Sequence, residues 1–183
     1  MPIFRNACRA LVASLALALT LAASGASAGV AAAPRDPAAT AGDTIYVIVR
    51  HAQKAAGEDP VLTAEGEAHA QALSAALADA GVSAIYATPY RRTQATAAPL
   101  AARTGIAVTR YAPGDAAATA ASIRAAGHRG TVLIVGHSNT VPTLVEAFAG
   151  VAVPAMPETD YSRLYAIAVG GDGRARLLRL SMP

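Results

Sequence analysis

The 183-residue chain is poor in cysteine, lysine and aromatic side chains. Cys8 is the only cysteine, Lys54 is the only lysine, tryptophan is absent, and aromatic residues make up 4% of the sequence. A single cysteine excludes a disulfide within the chain and a metal site built from several thiolates. No lysine-rich run and no basic patch interleaved with aromatics is present, so the sequence does not indicate a nucleic-acid partner.

Residues 1–28 have the layout of a secretory signal peptide. Arg5 and Arg9 give a basic start, residues 11–23 form an apolar run, and residues 26–28 read Ala-Ser-Ala, a cleavage pattern. The apolar run is shorter than the roughly 20 residues that a membrane span needs. Cys8 precedes this run, so the mature chain is expected to carry no thiol and no lipid anchor. We therefore expect a periplasmic or secreted protein with no stable membrane insertion after processing.

The remainder predicts a leader followed by one domain. Residues 29–42 are rich in Ala, Pro and Gly, which is typical of a flexible leader, and the folded domain is expected over residues 43–183. The formal net charge of +3 falls to +1 once Arg5 and Arg9 are removed. The charge of the mature chain therefore indicates no particular class of partner.

Strand-like and helix-like segments alternate along this domain. Continuous apolar, β-branched runs predict buried strands, and apolar residues at helical spacing predict the helices between them. Strands are predicted at 45–49, 82–87, 106–109, 132–135, 161–169 and 175–180, and helices at 64–80, 91–103, 116–126 and 140–149. This order predicts an α/β fold: a three-layer α/β/α sandwich with a mostly parallel sheet, helices on both faces and an antiparallel strand at one edge.

Cationic side chains follow three of the predicted strands. Arg50 and His51 follow the first strand, Arg91 follows the second, and His137 follows the strand at 132–135. The carboxyl ends of parallel strands are where α/β proteins bind ligands, so we expect these four side chains to converge. Guanidinium and imidazole groups together suit a phosphoryl group, and a neutral imidazole can attack phosphorus.

In this order, the segments 50–52, 87–97 and 136–140 resemble the histidine phosphatase superfamily. The usual Arg-His-Gly signature has Ala52 in place of its glycine. The short chain is more similar to the phosphohistidine phosphatases than to the phosphoglycerate mutases, which carry longer insertions around the pocket. The resemblance implies a phosphatase that acts on a small phosphorylated substrate, either a phosphomonoester or a phosphoramidate such as phosphohistidine. It implies no metal and no other cofactor.

The resemblance also implies roles for the cationic residues. His51 is expected to be the nucleophile that forms a phosphohistidine, while Arg50, Arg91 and His137 bind the phosphoryl oxygens. Backbone N–H groups near Arg91, at the start of its helix, would add to this anion site.

Three further residues flank these positions. Ser138 and Asn139 follow the second histidine and are expected to line the phosphate pocket. Arg92 is expected to point to solvent or to brace its helix, because surface charges usually contribute little.

Two carboxylates are candidates for the general acid that a leaving alkoxide requires. Asp59 lies in the loop after His51, and Asp115 lies after the second arginine turn. Both occur in turn contexts, since Asp59 precedes a proline and Asp115 follows Pro-Gly, so a purely structural role is the alternative for each. If neither donates a proton, substrates with good leaving groups are favoured.

Two other functions compete with the phosphatase. The pocket could bind a phosphorylated ligand without turning it over, because binding requires the cations but not the proton donor. Residues 136–140 also resemble the Gly-x-Ser-x-Gly nucleophile elbow of serine hydrolases, with Ser138 as nucleophile. Thr140 replaces the last glycine of that motif, and the arginines have no role in it.

Overall fold

The computed structural model describes residues 43–182 and arranges them around one six-stranded sheet. The predicted signal peptide at 1–28 and leader at 29–42 lie outside the described residues. In chain order the elements are β1 (Thr44–Arg50), α1 (Ala64–Ala76), β2 (Val82–Ala87), α2 (Arg91–Thr104), β3 (Val108–Arg110), α3 (Ala116–Ala125), β4 (Gly130–Gly136), α4 (Val141–Ala149), β5 (Arg163–Val169) and β6 (Ala175–Ser181).

The sheet has the strand order β3-β2-β4-β1-β5-β6. Strands β3, β2, β4 and β1 pair in parallel. Strand β5 runs antiparallel to β1, and β6 pairs antiparallel with β5. The predicted fold class is therefore confirmed, and the closing β5–β6 hairpin supplies the antiparallel edge of the sheet.

Both faces of the sheet are buried, as the continuous apolar strands predict. Successive side chains of a strand point to opposite faces. Tyr46 and Ile48 of β1 pack with residues of α3 and α4, whereas Val47 and Val49 pack with residues of α1 and α2. The two apolar clusters form the two interfaces of the three-layer sandwich.

Local sequence accounts for most helix ends. The Thr63 hydroxyl accepts a hydrogen bond from the Gly66 N–H and caps α1. Helix α1 stops at Ala76 instead of reaching residue 80, because the chain turns at Leu77. Helix α2 continues through Pro99 to Thr104, so this proline does not shorten it. No helix within residues 43–182 is long and apolar enough to cross a membrane.

Strand register brings three chain segments together at one edge of the sheet. Arg50 at the end of β1 is aligned with Gly136 at the end of β4. Ala87 at the end of β2 is aligned with Val135 on the other side of β4. The residues that follow these strands are therefore neighbours, although they are far apart in sequence.

Candidate active site

His51 is held directly beyond β1 in a single tautomer. Its backbone N–H donates to the Gly136 carbonyl at 2.9 Å. Its Nδ1 lies 2.8 Å from the carbonyl oxygen of Ala52. Because a carbonyl can only accept, Nδ1 carries the proton and Nε2 keeps its lone pair. Ala52, which replaces the glycine of the family signature, is buried and also donates its N–H to the Thr96 hydroxyl.

Burial keeps the His51 ring neutral. Its pKa is lowered to about 4, first by burial and then by the positive charges of Arg50 and Arg92 and by the neighbouring His137. The hydrogen bond to Ala52 acts in the opposite direction. A neutral ring with a free Nε2 is the form of histidine that acts as a nucleophile.

His137 faces His51 from the end of β4. The two ring centroids are 5.4 Å apart. Nδ1 of His137 lies 3.3 Å from Nη2 of Arg92, and its Nε2 lies 2.9 Å from the hydroxyl of Thr88. Because a guanidinium can only donate, Nδ1 accepts and Nε2 carries the proton. The pKa of His137 is lowered to about 4, mainly by burial and then by Arg92 and Arg50.

A chain of threonine hydroxyls fixes this tautomer. Thr88 accepts from Nε2 of His137, so its own hydroxyl proton points to Thr93, 2.8 Å away. The Thr93 hydroxyl lies 2.8 Å from the carbonyl oxygens of both Thr88 and Tyr90, to which it donates. Thr88 and Thr93 are fully buried. Each group in this chain donates to the next, from His137 to Thr88, to Thr93 and to the backbone carbonyls. These hydrogen bonds fix the orientation of the His137 ring.

The structure places Arg92, rather than Arg91, at the histidine pair. Arg91 is exposed, and its backbone N–H donates to Asp59 at 3.0 Å. Arg92 is partly buried beside His137, with its Cζ 4.5 Å from the ring centroid of Tyr90. Adjacent side chains on a helix point about 100° apart, so only one of the two can face the strand ends. The expectations that Arg91 lines the pocket and that Arg92 points to solvent are both wrong.

Arg50 is buried and binds the loop that precedes β5. Its Nη1 donates to the carbonyl oxygens of Pro157, Glu158 and Asp160. Its Nη2 lies 2.9 Å from Oε2 of Glu158. Its Cζ lies 4.1 Å from the ring centroid of Tyr161. Arg50 thus reaches the site as predicted, but most of its donors are used to hold residues 157–160.

Two guanidinium donors at the site have no protein partner. Within residues 43–182, the buried side-chain polar atoms without a hydrogen bond are Nε of Arg50 and Nε of Arg92. An unpaired buried donor on a charged group is costly, so it usually marks a position that a ligand or water fills. Both donors belong to arginines whose charges reach His51 and His137. Acceptor oxygens bound beside these arginines would satisfy both donors.

Glu158 is a site residue that the sequence analysis missed. One carboxylate oxygen pairs with Arg50, and the other accepts a hydrogen bond from the Ser138 hydroxyl. The pKa of Glu158 is lowered, first by the Ser138 hydrogen bond and further by Arg50, His51 and Lys54. Glu158 is 108 residues from Arg50 in sequence, lies outside any helix or strand and belongs to no motif. Nothing in the sequence pattern marks it.

The remaining predicted residues are placed as follows. Ser138 is buried at the pocket and, as it donates to a glutamate rather than to a histidine, it lacks the partner of a serine nucleophile. Asn139 is exposed beside it and lines a neighbouring cavity. Asp59 lies at the pocket edge, 3.6 Å from Nη1 of Arg92. Asp115 is the N-cap of α3, where it accepts from the Ala118 N–H, and the structure does not bring it to the histidine pair.

Two aromatic rings lie against the histidine pair, and two cavities adjoin neighbouring residues of the site. The rings of Tyr90 and His137 meet edge to face with centroids 5.2 Å apart, and Tyr161 lies 6.2 Å from His51. A cavity of about 450 Å³ adjoins Ser138 and Glu158, and another of about 460 Å³ adjoins Glu158 and Tyr161. Either cavity is large enough to hold a small leaving group. Within the described part of the chain, no group of three His, Cys, Asp or Glu side chains is arranged to hold a metal ion.

Comparison with known proteins agrees with this architecture. The model of the histidine phosphatase superfamily (branch 1) matches residues 46–112. No curated protein sequence matches the chain. The structure of the protein histidine phosphatase SixA in complex with tungstate is similar with a TM-score of 0.62 and 19% identity, covering 75% of this chain and 96% of that one.

Two further solved structures share the fold. A mycobacterial glucosyl-3-phosphoglycerate phosphatase gives a TM-score of 0.60 at 17% identity, covering 77% of this chain and all of that one. A phosphoserine phosphatase from Entamoeba histolytica, solved in complex with 3-phosphoglyceric acid, gives a TM-score of 0.56 at 14% identity. The match covers 76% of this chain and 98% of that one. The family match spans β1, its histidine and the arginine turn. Over residues 46–112 the chain is therefore similar to the histidine phosphatase superfamily, and it shares its fold with these solved structures.

Proposed function

We propose that this protein is a phosphatase that hydrolyses a small phosphomonoester or phosphoramidate through a phosphohistidine on His51. The observation that carries the proposal is the state of the His51 ring. Nδ1 is tied to the Ala52 carbonyl, which leaves the unprotonated Nε2 as the free nitrogen beside His137 and two arginines. A nitrogen nucleophile next to unpaired guanidinium donors suits attack on a phosphoryl group.

The first step forms a bond between Nε2 of His51 and phosphorus. The bond from phosphorus to the leaving group breaks, and its electron pair goes to the leaving atom. The ring then carries positive charge, which the hydrogen bond from Nδ1 to the Ala52 carbonyl stabilises. In the second step water attacks phosphorus, the electron pair of the P–N bond returns to Nε2, and inorganic phosphate leaves.

The cations around the ring stabilise the charge on the transferred group. The equatorial oxygens of a phosphoryl group gather negative charge in the transition state. The Nε–H groups of Arg50 and Arg92 are the buried donors available to meet it. His137 supports this set indirectly: its Nδ1 accepts from Nη2 of Arg92 and holds that guanidinium at the site, while its Nε2–H is used by Thr88. No metal and no other cofactor has a role in this scheme.

The second candidate is a phosphoryl-binding protein without turnover. One observation favours it: Glu158 occupies Nη2 of Arg50 and the hydroxyl of Ser138, two groups that a phosphoryl oxygen would otherwise use. A ligand must displace this carboxylate before it is fully bound. The two candidates differ in whether covalent chemistry follows binding.

A single comparison separates the two. The mature protein is mixed with 4-nitrophenyl phosphate and with phosphoramidate, and the same is done with His51→Ala. We expect turnover by the native protein and a loss of at least about 1,000-fold in the variant, because no other nucleophile replaces the ring. Acid-labile, base-stable label on the native protein after quenching would identify the phosphohistidine. Turnover that survives His51→Ala would reject the mechanism. Phosphate binding without any turnover would favour the binding protein.

We also propose that the phosphatase acts outside the cytoplasm, in the periplasm or after secretion. The proposal rests on the basic start, apolar run and Ala-Ser-Ala pattern of residues 1–28. Its test is the amino-terminal sequence of the protein recovered from the periplasmic fraction, which should begin at Gly29. Recovery of a chain that still begins at Met1 from the cytoplasm would contradict it.

A further inference from the structure

We propose that Glu158 is the general acid that protonates the leaving group and the general base that then activates water. This inference rests on the proposed function, and it assigns the proton to a residue that neither the family signature nor the sequence pattern marks.

The main chain of Glu158 is fixed while its side chain is exposed. The carbonyl oxygens of Pro157, Glu158 and Asp160 all accept from Nη1 of Arg50. The side chain of Arg50 is 1% exposed and that of Glu158 is 75% exposed. The carboxylate can therefore swing away from Arg50 without unpacking the loop, which remains anchored through its backbone.

Glu158 borders the cavities into which a leaving group can extend. It lines the cavity of about 450 Å³ that Ser138 also lines, and it lines the cavity of about 460 Å³ that Tyr161 lines. Both cavities adjoin residues that contact Arg50, so a phosphoryl group bound at this arginine can extend its leaving group toward either one. Glu158 is the carboxylate that lines both cavities, so it is placed to meet a leaving group in either one.

The groups that face Glu158 keep it ionised in the free protein. Arg50 comes from the end of β1, Ser138 from the segment after β4, and His51 and Lys54 from the segment after β1. The Ser138 hydrogen bond is the largest cause of its lowered pKa, and Arg50 is the next among those that lower it. A phosphoryl dianion that takes over these two contacts removes both effects and adds a negative charge nearby. All three changes raise the pKa of the carboxyl group, so it takes up a proton when the substrate binds.

The proton and the electron pairs then balance over two steps. As Nε2 of His51 bonds to phosphorus, the P–O bond to the leaving group breaks, and the leaving oxygen keeps the electron pair and takes the Glu158 proton. The resulting carboxylate accepts a proton from the attacking water while the water oxygen bonds to phosphorus. The P–N electron pair returns to Nε2. The net change is one phosphoester and one water converted into one alcohol and one phosphate.

Asp59 is less suited to this task. Its Oδ1 accepts from the Arg91 backbone N–H at the start of α2 and lies 3.6 Å from Arg92. This carboxylate lies at the amino end of α2, where the helix dipole favours a negative charge. Its contacts are those of a cap, and it does not line the two cavities beside Glu158.

The test is the dependence of kcat/KM on the leaving group in Glu158→Gln. The amide preserves the backbone bonds to Arg50 and can still accept from Ser138, but it cannot transfer a proton. Native protein and variant are compared on 4-nitrophenyl phosphate, whose leaving group needs no proton, and on an alkyl phosphate, whose leaving group does. Glu67→Gln is the matched control, since Glu67 is an exposed carboxylate in the first turn of α1 and lines neither of these cavities.

General acid catalysis contributes about 100-fold or more. We therefore expect Glu158→Gln to lower kcat/KM by about 100-fold on the alkyl phosphate and by less than about threefold on 4-nitrophenyl phosphate. Because the second step lacks its base, the variant should release nitrophenol in a burst and accumulate phosphohistidine. Glu67→Gln should show neither effect.

Several results would overturn the assignment. An equal loss on both substrates would make Glu158 a binding or structural residue, and unchanged kinetics on both would remove it from the mechanism. The same selective loss in Asp59→Asn but not in Glu158→Gln would transfer the role to Asp59. Failure of the proposed function is a different outcome, recognised by native protein that turns over neither substrate or by His51→Ala that retains activity.

Discussion

Nη2 of Arg92 lies 3.3 Å from Nδ1 of His137, whereas the preceding residue, Arg91, contributes only its backbone N–H to Asp59. Two adjacent arginines at the start of one helix therefore make different contacts. Arg92 orients a histidine of the site, and Arg91 remains exposed.

This difference predicts opposite outcomes for two matched substitutions. Arg92→Ala removes a buried donor to the phosphoryl group and the partner of His137, and should lower kcat/KM by about 100-fold to 1,000-fold. Arg91→Ala should change kcat/KM by less than about threefold, because its side chain is exposed. Steady-state kinetics on 4-nitrophenyl phosphate check both. A larger loss in Arg91→Ala than in Arg92→Ala would contradict the placement.

The hydroxyl of Thr88 predicts a specific stability cost. Thr88→Val removes the acceptor for Nε2 of His137 and the donor to Thr93 while keeping the shape of the side chain. Leaving buried polar groups unpaired should lower the free energy of unfolding by about 1–3 kcal/mol. Thr88→Ser retains the hydroxyl and should recover most of this loss. Urea denaturation of the three proteins measures the difference, and a Thr88→Val protein as stable as the native one would show that the bonds contribute nothing.

The two histidines predict a loss of stability in acid. Their pKa values are lowered from 6.5 to about 4 in the folded protein, so the unfolded chain binds protons that the folded one does not. Their contribution to stability is full above pH 6.5 and is lost as the pH falls toward 4. Each ring contributes a slope of up to about 1.4 kcal/mol per pH unit in that window.

Denaturation curves between pH 7 and 4 check this slope. His137→Gln should flatten the curve by removing one of the two rings, while the buried position keeps a side chain of similar size. Saturating inorganic phosphate should also flatten it, because a bound anion favours protonated histidine. A free energy of unfolding that stays constant from pH 7 to 5 in the native protein would contradict the lowered pKa values.

Gly66 predicts a substitution whose effect opposes helix propensity. It lies in the first turn of α1, where a Cβ would overlap the carbonyl group of Gln53, two residues after His51. Alanine favours a helix over glycine by about 1 kcal/mol, yet here the backbone of the catalytic loop must move. We expect Gly66→Ala to destabilise the protein by about 1–3 kcal/mol and to lower activity. Gly171→Ala, where a Cβ meets open space, is the control. Equal melting temperatures for both variants would show that the contact is not rigid.

The sequence predicted the strand ends correctly because the relevant pattern is local. Continuous apolar runs mark β1 and β4, and His51 and His137 follow them directly. A parallel sheet places such ends at one edge, so the approach of the two rings to 5.4 Å followed from the fold class. The N-cap of α1 at Thr63 is also predictable from the sequence, since a cap involves only the residues of one helical turn.

Other features depend on contacts that no local pattern contains. Which of Arg91 and Arg92 turns inward depends on the rotation of α2 about its axis against the sheet. Asp115 was a candidate acid by its position after the arginine turn, and the structure uses it to cap α3 instead.

The sequence by itself determined the layers, the strand ends and the two histidines that follow β1 and β4, because hydrophobic period, segment length and β-branching are patterns of a few consecutive residues. Only the tertiary structure decided the partners of those groups: Arg92 for His137, and Glu158 for Arg50 and Ser138. Glu158 reaches the site from a loop 108 residues beyond Arg50. The position of Glu158 is set by backbone carbonyls that accept hydrogen bonds from the buried guanidinium of Arg50. Because every residue type carries a backbone carbonyl, no sequence pattern marks this contact.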